Sequence, residues 1–371
     1  MKIVYLLTAH LPQDERIWYH QKPILEEAGH RIFIITSRTS EQQADNIFYY
    51  ANQKNKFQER SSVFNILSSL NPQLIICDTP LAILYAFYFA KREKGEVSVV
   101  YDVTEFYPSR KNLQNKPLLL KPFKKLFLQT LFKKACKKVD GFIFGEKSKS
   151  LKPLKISQSD SFVFSPYYPN VNYFKRYPLT QNDNTFSFFY AGNTSTDKGY
   201  HHVLKLASHC ASICPNIQFQ LHIIAYNVPE HSLDNIDNLK INYLPFLNYP
   251  DYCREMGKYD LYLDLREINT ENTQCLPIKL FDYMAFGRPV IFSHLDAISD
   301  GVPEISTFGY IVDPANYQGN ANLILHLLEN NDLYRKQAKN AVFLADSKYN
   351  WDTIKDDFLR FIQQFQRHES D

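Results

Sequence analysis

The stretch from Leu276 to His294 constrains the fold of this chain more than any other, and it reads LPIKLFDYMAFGRPVIFSH. Pro277 suits the first turn of a helix, where its missing N–H costs nothing, and Gly287 suits a left-handed C-cap at the helix end. Apolar residues recur between them at helical spacing and predict one buried stripe: Ile278, Phe281, Met284 and Ala285. Because Pro289 to Phe292 then reads as a short apolar strand, the stretch predicts a helix–turn–strand unit of an α/β protein.

Lys279 and Asp282 are polar residues near the start of this predicted helix. The free N–H groups of a helix start bind an anion, favoured by the helix dipole. An acid about one turn further in can reach a sugar diol, and a phosphate with a ribose attached needs these two features together. An ordinary amphipathic helix–turn–strand, as found in any α/β protein, is the alternative interpretation.

The pattern P-x-K-x-x-(E/D)-Y-M-A-x-G-x-P-V-I in this stretch resembles the nucleotide-sugar motif of retaining glycosyltransferases of the GT-B fold, family 4 and its relatives. The resemblance implies an α/β fold with two Rossmann-like, doubly wound parallel-sheet domains facing a central cleft. It also implies that Asp282 holds the ribose of the donor. The family usually has two glutamates eight positions apart, whereas this chain has Gln274 and Asp282, so the first acid is an amide and the second is shortened.

The length of 371 residues exceeds the usual size of one domain and predicts two. We expect an acceptor-side domain at 1–165, a linker at 166–184 and a nucleotide-sugar-binding domain at 185–351, and the resemblance implies that a helix at 352–371 returns to the first domain. No segment of about 18 apolar residues is free of charge, so no membrane span is predicted. The N-terminus reads directly as a first strand rather than as a signal peptide.

Six cysteines are scattered through predicted helices and strands, which favours reduced thiols in a cytoplasm over a disulfide framework. Cys210 and Cys214 lie four residues apart on a predicted helix, with His209 adjacent. One helical pair is a poor zinc set, and no acidic D-x-D pair stands out in a metal-site context, so we predict no metal site.

The segment Arg110–Lys138 is the most biased of the chain, because it holds ten basic residues and no acid occurs between Glu105 and Asp140. The basic residues are Arg110, Lys111, Lys116, Lys121, Lys124, Lys125, Lys133, Lys134, Lys137 and Lys138. Leucines and phenylalanines are interleaved, so the segment predicts a basic amphipathic helix lying on an anionic membrane, at the inner face of the cell membrane. A core-facing helix with a solvated lysine face is the alternative, and no reader motif supports nucleic acid.

The first half opens with an apolar strand, Lys2–Ala9, followed by a loop, His10–Glu15, a helix through Gly29 and a strand at Arg31–Ser37. This order predicts a parallel, doubly wound sheet without a G-x-G-x-x-G dinucleotide fingerprint. The phrase TAHLPQDERIWYHQKPILEEAGHRI resembles the opening of many bacterial family-4 enzymes, where it borders the cleft. The matching polar residues are His10, Asp14 and Arg16. A solvated loop with an N-capping acid is the alternative interpretation.

A second polar cluster, YDVTEFYP at Tyr101–Pro108, follows the predicted strand Val97–Val103. Polar residues at the carboxyl end of a parallel strand face the ligand crevice. The cluster resembles the family pattern Y-D-x-H-E-x-Y-P, with Thr104 in place of a histidine that lies close to the transferred sugar. A threonine can donate a hydrogen bond there but cannot hold a charge near neutral pH. The predicted catalytic residues are Glu105, Thr104 and His10, and the acceptor-side residues are Asp14, Arg16 and Asp102.

The second half contains a loop GNTSTDKG, Gly192–Gly199, which resembles the family's G-R-x-x-x-x-K-G. The resemblance implies that Lys198 contacts the diphosphate and that Asn193 stands where an arginine is usual. Tyr243 and Phe246 match the region where relatives bind the base. The complete set of predicted donor-binding residues is Gly192, Asn193, Lys198, Tyr243, Phe246, Arg266, Asn272, Thr273, Gln274, Lys279 and Asp282.

These observations predict a glycosyltransferase that moves a sugar from a UDP-, GDP- or ADP-linked donor to an acceptor, a lipid-linked or cell-surface glycan of polysaccharide biosynthesis in a bacterium. The resemblance implies retention, no metal and no cofactor besides the donor. Two alternatives stay open. A lapsed transferase could serve as a binding subunit, which the departures at Gln274, Asn193 and Thr104 favour. A sugar-nucleotide epimerase on the same fold would need carboxylates or histidines at the sugar.

Overall fold

The computed structural model of this chain describes residues 1–38, 44–53, 55–94, 96–104, 113, 117–146, 161–179, 184–225 and 236–366. It divides the chain into two compact units. One consists of Met1–Tyr167 together with Ile354–Asp371, and the other is Tyr168–Thr353. Each unit is built around one parallel sheet. The order of the strands in each sheet therefore indicates the edge at which a ligand would bind.

The first unit contains a seven-stranded parallel sheet in the order β3-β2-β1-β4-β5-β6-β7. The strands are β1 Lys2–Leu7, β2 Arg31–Thr36, β3 Ile47–Tyr49, β4 Leu74–Cys77, β5 Ser98–Val103, β6 Gly141–Phe144 and β7 Phe162–Phe164. The central strands β1 and β4 read KIVYLL and LIIC and are mostly aliphatic, since both faces of a parallel sheet are covered by helices.

The helices of the first unit follow the strands. A π-helical turn at Arg16–Gln21 continues into α1, and a 3-10 turn at Leu118–Leu120 precedes α4. The α-helices are α1 Lys22–Glu27, α2 Lys56–Leu70, α3 Pro80–Arg92, α4 Lys121–Cys136 and the C-terminal α11 Lys355–Gln363. The helix expected at 352–371 begins only at Lys355, because Trp351–Thr353 forms a separate 3-10 turn before α11.

The second unit contains a six-stranded parallel sheet in the order β10-β9-β8-β11-β12-β13. The strands are β8 Thr185–Ala191, β9 Gln218–Ile224, β10 Leu239–Leu244, β11 Leu261–Asp264, β12 Val290–Ser293 and β13 Gly309–Val312. Its helices are α5 Tyr200–Ile213, α6 Tyr249–Glu255, α7 Ile278–Ala285, α8 Asp296–Gly301, α9 Tyr317–Glu329 and α10 Asn331–Ser347. Separate hydrophobic clusters cover the two faces of this sheet.

The stretch Leu276–His294 forms the predicted helix–turn–strand unit, with α7 preceding β12. Pro277 is the N-cap of α7, and Gly287 follows the helix with a left-handed φ of 72°. Phe281, Met284 and Ala285 are buried as expected, but Ile278 is 36% exposed, so its place in the buried stripe was wrong. Ile278 is the first residue of the helix, where the chain enters from a loop and the neighbouring packing is incomplete.

Both sheets have the strand order of a Rossmann-like fold, so the predicted class of two doubly wound parallel-sheet domains is confirmed. In such sheets ligands bind at the carboxyl ends of the strands, at the point where the strand order reverses. That point lies between β1 and β4 in the first unit and between β8 and β11 in the second. Within the described residues, no helix combines the length and the apolar character needed to cross a membrane.

Candidate functional sites

The loop after β8 packs against the backbone that follows β11. Gly199 closes this loop with a left-handed φ of 72°, and a Cβ atom there would lie 1.6 Å from the carbonyl oxygen of Leu265. No other residue type fits this position without moving one of the two loops. The N–H of Glu267 also donates to the carbonyl of Asp197 at 3.3 Å. The two loops at the switch point of the second unit are therefore held together.

Three cationic side chains converge on one buried carboxylate at this edge of the sheet. Asp264, the last residue of β11, accepts hydrogen bonds from Arg266 Nε at 2.9 Å and from its terminal nitrogen at 3.0 Å. Lys279 Nζ lies 3.9 Å from Asp264 Oδ2, and Lys198 interacts electrostatically with the same carboxylate. A Cβ on Gly192 would lie 2.7 Å from Lys279 Nζ, so this glycine leaves room for the ammonium group.

The positive charges of this cluster outnumber its negative charge. Burial opposes ionisation of Asp264, but Arg266 and Lys279 hold its pKa below its ordinary value. Burial and the charge of Arg266 lower the pKa of Lys198. Burial also lowers the pKa of Lys279, to about 8, because Asp264 offsets the lost hydration only in part. An anion placed among these cations would compensate electrostatically for the hydration that they lose on burial.

Asp282 lies on α7, one turn from Lys279, and is only 5% exposed. Its Oδ1 atom is buried and has no hydrogen-bond partner among the residues that the structure describes. Burial raises the pKa of Asp282 to about 7, although Lys279 opposes the shift. A buried carboxylate oxygen without a donor is costly, and a hydroxyl group of a ligand would supply one.

Several predicted donor residues hold the loops in shape. Asn193 Oδ1 accepts from the N–H of Ser195 at 2.8 Å. The buried side chain of Asn272 donates to the carbonyls of Asp197 at 2.9 Å and Glu267 at 2.8 Å. Thr273 Oγ1 donates to a backbone carbonyl of the same loop at 2.7 Å. These polar groups are engaged in the loops themselves.

Gln274, Tyr243 and Phe246 are exposed. Tyr243 lies near the end of β10, where its hydroxyl forms a 2.7 Å hydrogen bond with that of Tyr200 at the start of α5. The structure thus gathers Gly192, Lys198, Arg266 and Lys279 around Asp264, with Asn272 holding the adjoining loop.

The first unit has a small cleft at its own switch point, lined by His10, Asp14, Arg16, Asp102 and Thr104 among others. The structure therefore brings these five predicted residues together. The sixth, Glu105, lies outside the described residues, as do Arg110, Lys111 and Lys116 of the basic segment.

Asp78, at the end of β4, fixes the loop that carries His10. Its carboxylate accepts from the backbone N–H groups of Thr8, Ala9 and His10 at 2.9–3.2 Å, and it lies 3.0 Å from His10 Nδ1. Burial lowers the pKa of His10, but Asp78 and the charge of Asp14 outweigh it and raise the pKa to about 9. His10 is therefore an imidazolium cation at neutral pH.

Arg16 forms the second ion pair of this cleft, with Asp102 at the end of β5. One guanidinium nitrogen lies 2.6 Å from Asp102 Oδ1, and the guanidinium carbon lies 4.7 Å from the ring centroid of Tyr167. Both partners are buried. Burial raises the pKa of Asp102, and the adjacent Arg16 opposes that rise.

Asp78, Tyr167 and Asp264 were not predicted as site residues. Asp78 and Asp264 stand at the carboxyl ends of β4 and β11, so the rule that identified Asp102 would also have identified them. A cluster of His201, His202 and Glu267 was also missed; among the described residues it is the one group of three or more such side chains close enough to share a metal ion. Cys210 and Cys214, the pair considered from the sequence, are free thiols outside this cluster.

The two sheets define an α/β protein with two doubly wound, Rossmann-like units. Among solved structures, the chain is similar to HepE of Anabaena in complex with UDP-glucose, with 17% identity, a TM-score of 0.70 and coverage of 98% of this chain and 100% of that one. It is also similar to sucrose-phosphate synthase of Thermosynechococcus elongatus, with 14% identity, a TM-score of 0.68 and 98% coverage of both chains.

A third similar structure is WaaG, a glycosyltransferase involved in lipopolysaccharide biosynthesis, with 14% identity, a TM-score of 0.69 and coverage of 97% of this chain and 99% of that one. These similarities extend over nearly the whole chain and show that its fold is that of GT-B glycosyltransferases, as predicted. Comparison of the sequence with protein-family models and with curated proteins finds no match.

Proposed function

We propose that this chain is a glycosyltransferase that uses a nucleotide-sugar donor. The observation that carries the proposal is the cluster of Lys198, Arg266 and Lys279 around a single carboxylate, Asp264. The excess positive charge matches a diphosphate, whose negative charge grows as the bond to the sugar breaks. Stabilising such a leaving group is the largest contribution that a protein can make to this reaction. The three cations could do this without a metal ion.

Asp282 supports the donor assignment, because its unpaired carboxylate oxygen needs a donor that ribose hydroxyls could supply. UDP-glucose is the first donor to test, since the structure of HepE, which has the same fold, holds UDP-glucose. The exposed Tyr243 is our candidate for contact with the base.

The cleft of the first unit is our candidate site for the acceptor. His10 has a pKa of about 9 and is already protonated, so it cannot serve as the base at neutral pH. We assign it and the Thr104 hydroxyl to hydrogen bonds with the reacting groups, with Glu105 adjacent in sequence. The bond between the anomeric carbon and the phosphate oxygen breaks, the acceptor oxygen bonds to the same face of that carbon, and its proton passes to the leaving phosphate. This order of steps retains the configuration of the anomeric carbon.

Calorimetry with UDP-, GDP- and ADP-sugars tests the donor, and Lys198→Ala tests the diphosphate contact. Loss of a charge-assisted contact worth about 1.5–3 kcal/mol should weaken UDP binding roughly ten- to a hundredfold and leave uridine binding nearly unchanged. Lys240→Ala, which removes an exposed lysine of β10, is the matched control. Equal losses for UDP and uridine would contradict the assignment.

Release of UDP in the presence of acceptor sugars separates the transferase from its alternatives. A lapsed transferase acting as a binding subunit would bind the nucleotide sugar without releasing UDP. An epimerase would convert the sugar, which chromatography of the recovered donor would reveal.

We also propose that α4 and the turn before it dock on an anionic lipid bilayer. Large apolar side chains are exposed on this segment: Leu119 at 86%, Leu120 at 53%, Phe123 at 73%, Leu126 at 64% and Phe127 at 65%. The lysines of the same segment lie among them, and the buried side of α4 is confined to its C-terminal end, at Phe132, Ala135 and Cys136. The alternative of a core-facing apolar side does not account for these exposed side chains. An exposed apolar surface flanked by lysines fits an anionic membrane.

Vesicle binding tests this proposal. Each lysine near an anionic surface contributes on the order of 1 kcal/mol, and the effect decays within a Debye length of about 8 Å at physiological salt. Binding to vesicles rich in phosphatidylserine should be strong at low salt and fall steeply as salt rises. Replacing Lys124, Lys125, Lys133 and Lys134 by glutamate should release the protein without affecting nucleotide binding.

The control is charge reversal at two exposed lysines of α10 in the second unit, Lys336 and Lys339. Failure of the native chain to bind anionic vesicles at low salt would refute membrane docking and favour a soluble acceptor.

A further inference from the structure

The second unit holds a second cluster of polar side chains that the donor site does not use. His201 and His202 lie in the first turn of α5, and Glu267 lies in the loop after β11. The Nε2 atoms of both histidines face one carboxylate oxygen, Glu267 Oε1, at 3.2 and 3.1 Å. The two imidazole rings lie side by side, with their centroids 3.9 Å apart.

These distances fit three ligands of one metal ion. Zinc binds histidine nitrogen at about 2.0–2.1 Å and carboxylate oxygen at about 2.0–2.2 Å, which places neighbouring ligand atoms of a tetrahedral site about 3.3 Å apart. The two measured distances are close to this value, and all three ligand atoms lie within 4.8 Å of one another. The side chain of Glu267 is 38% exposed and that of His201 is 33% exposed, so water has access to a remaining coordination position.

The surroundings of His202 suit a metal ligand. Its Nδ1 atom lies 2.8 Å from the hydroxyl of Tyr317, which can accept the Nδ1–H. In that tautomer the lone pair of Nε2 points towards Glu267, the arrangement found when a ligating histidine donates its other N–H to a neighbouring group.

We propose that His201, His202 and Glu267 bind one divalent transition-metal ion of the zinc type. Two imidazoles and one carboxylate favour Zn²⁺, Co²⁺ or Ni²⁺ over Mg²⁺ or Ca²⁺, which prefer oxygen ligands. The ion would connect the start of α5 to the loop after β11. None of the three ligands belongs to the cation cluster around Asp264, so this inference is independent of the proposed transferase activity.

Metal titration of the full-length chain, purified in the presence of a chelator and then dialysed, tests the site. Co²⁺ is the probe, because a tetrahedral site gives intense visible absorption bands, and calorimetry with Zn²⁺ gives the affinity. We expect one site per chain. His201→Ala and His202→Ala should each weaken Zn²⁺ binding at least about a hundredfold, and Tyr317→Phe about tenfold, in line with the loss of an outer-shell partner.

His209→Ala is the matched control, since His209 lies on the same helix and bonds to Gln318 instead. Circular dichroism without metal should show that all variants are folded, and His201, with its partly exposed side chain, is the substitution least disruptive to packing. Absence of Co²⁺ binding by the native chain would overturn the proposal. So would unchanged binding by both histidine variants, or a thiolate charge-transfer band, which would place the metal on a cysteine.

Discussion

Asp282→Asn is expected to stabilise the second unit and to weaken donor binding at the same time. Burial raises the pKa of Asp282 to about 7 in the folded chain, so folding favours the protonated acid over the carboxylate. An acid with a raised folded pKa contributes stability that is complete below its unfolded pKa, near 4, and that is lost as the pH rises through 7. Asparagine keeps the shape of the side chain and carries no charge, so the variant avoids this loss.

The size of the expected change in unfolding free energy follows from the difference between the ordinary pKa of 3.8 and the folded value of about 7. Relative to low pH, the raised pKa lowers the unfolding free energy by roughly 2 kcal/mol at pH 5, where the acid is ionised only in the unfolded chain, and by roughly 4 kcal/mol at pH 8, where it is ionised in both states. Asp282 is almost fully buried, so solvent screens little of this effect. The advantage of Asp282→Asn over the native chain should therefore grow by about 2–3 kcal/mol between pH 5 and pH 8.

Urea denaturation followed by tryptophan fluorescence measures this difference. The chain has two tryptophans, Trp18 in the first unit and the buried Trp351 in the second. In a Trp18→Phe background the signal reports the second unit alone. The same proteins are titrated with UDP-glucose, whose diphosphate keeps the same negative charge throughout this pH range. At pH 8, Asp282→Asn should bind it roughly ten- to a hundredfold more weakly, from the loss of about 1.5–3 kcal/mol.

The two measurements test separate claims, and each claim can be refuted on its own. A stability difference that does not change with pH would show that folding does not penalise the ionised carboxylate, which would refute the electrostatic reasoning. Unchanged affinity for UDP-glucose in a folded Asp282→Asn chain would refute the ribose contact. Donor affinity of the native chain should also rise from pH 5 to pH 7, where Lys279 with its pKa of about 8 is still mostly protonated, and that rise should disappear in the variant.

Three further substitutions test other parts of the sites. Gly199→Ala should lower the unfolding free energy by more than about 2 kcal/mol in urea denaturation, because this position combines a left-handed φ with a close approach to the facing backbone. Gly29→Ala is the control, since Gly29 has a φ of 80° and nothing within 4 Å of an added Cβ, and it should cost about 1 kcal/mol. Asp78→Ala should move the pKa of His10 from about 9 towards its ordinary value, as measured by NMR titration, and its stability deficit should shrink as the pH rises through 9. Tyr243→Ala should weaken uridine binding by about 1–2 kcal/mol in calorimetry, and Tyr243→Phe should not, if the ring stacks on the base.

Local chemistry decided much of the fold, and this part was accessible from the sequence. Apolar runs became buried parallel strands. Pro277 and Gly287 bounded α7, because proline fixes φ and glycine adopts a left-handed φ at little cost. The alternation of strands and helices was enough to predict two doubly wound sheets. The family resemblance predicted Lys198 and Lys279 as donor-binding residues, and the structure brings both to the same edge of one sheet.

The tertiary structure alone decided which side chains become partners and which become buried. Asp264 ends β11 and Lys198 follows β8, and these strands are neighbours only because the order of the sheet reverses there. Glu267 meets His201 and His202 for the same reason, although 65 residues separate it from His202. Sequence spacing indicates the face of a helix or strand on which a residue lies, but it carries no information on the strand that will pair beside it. Desolvation and charge coupling depend on that pairing, and they set the pKa values on which the chemistry of these sites rests.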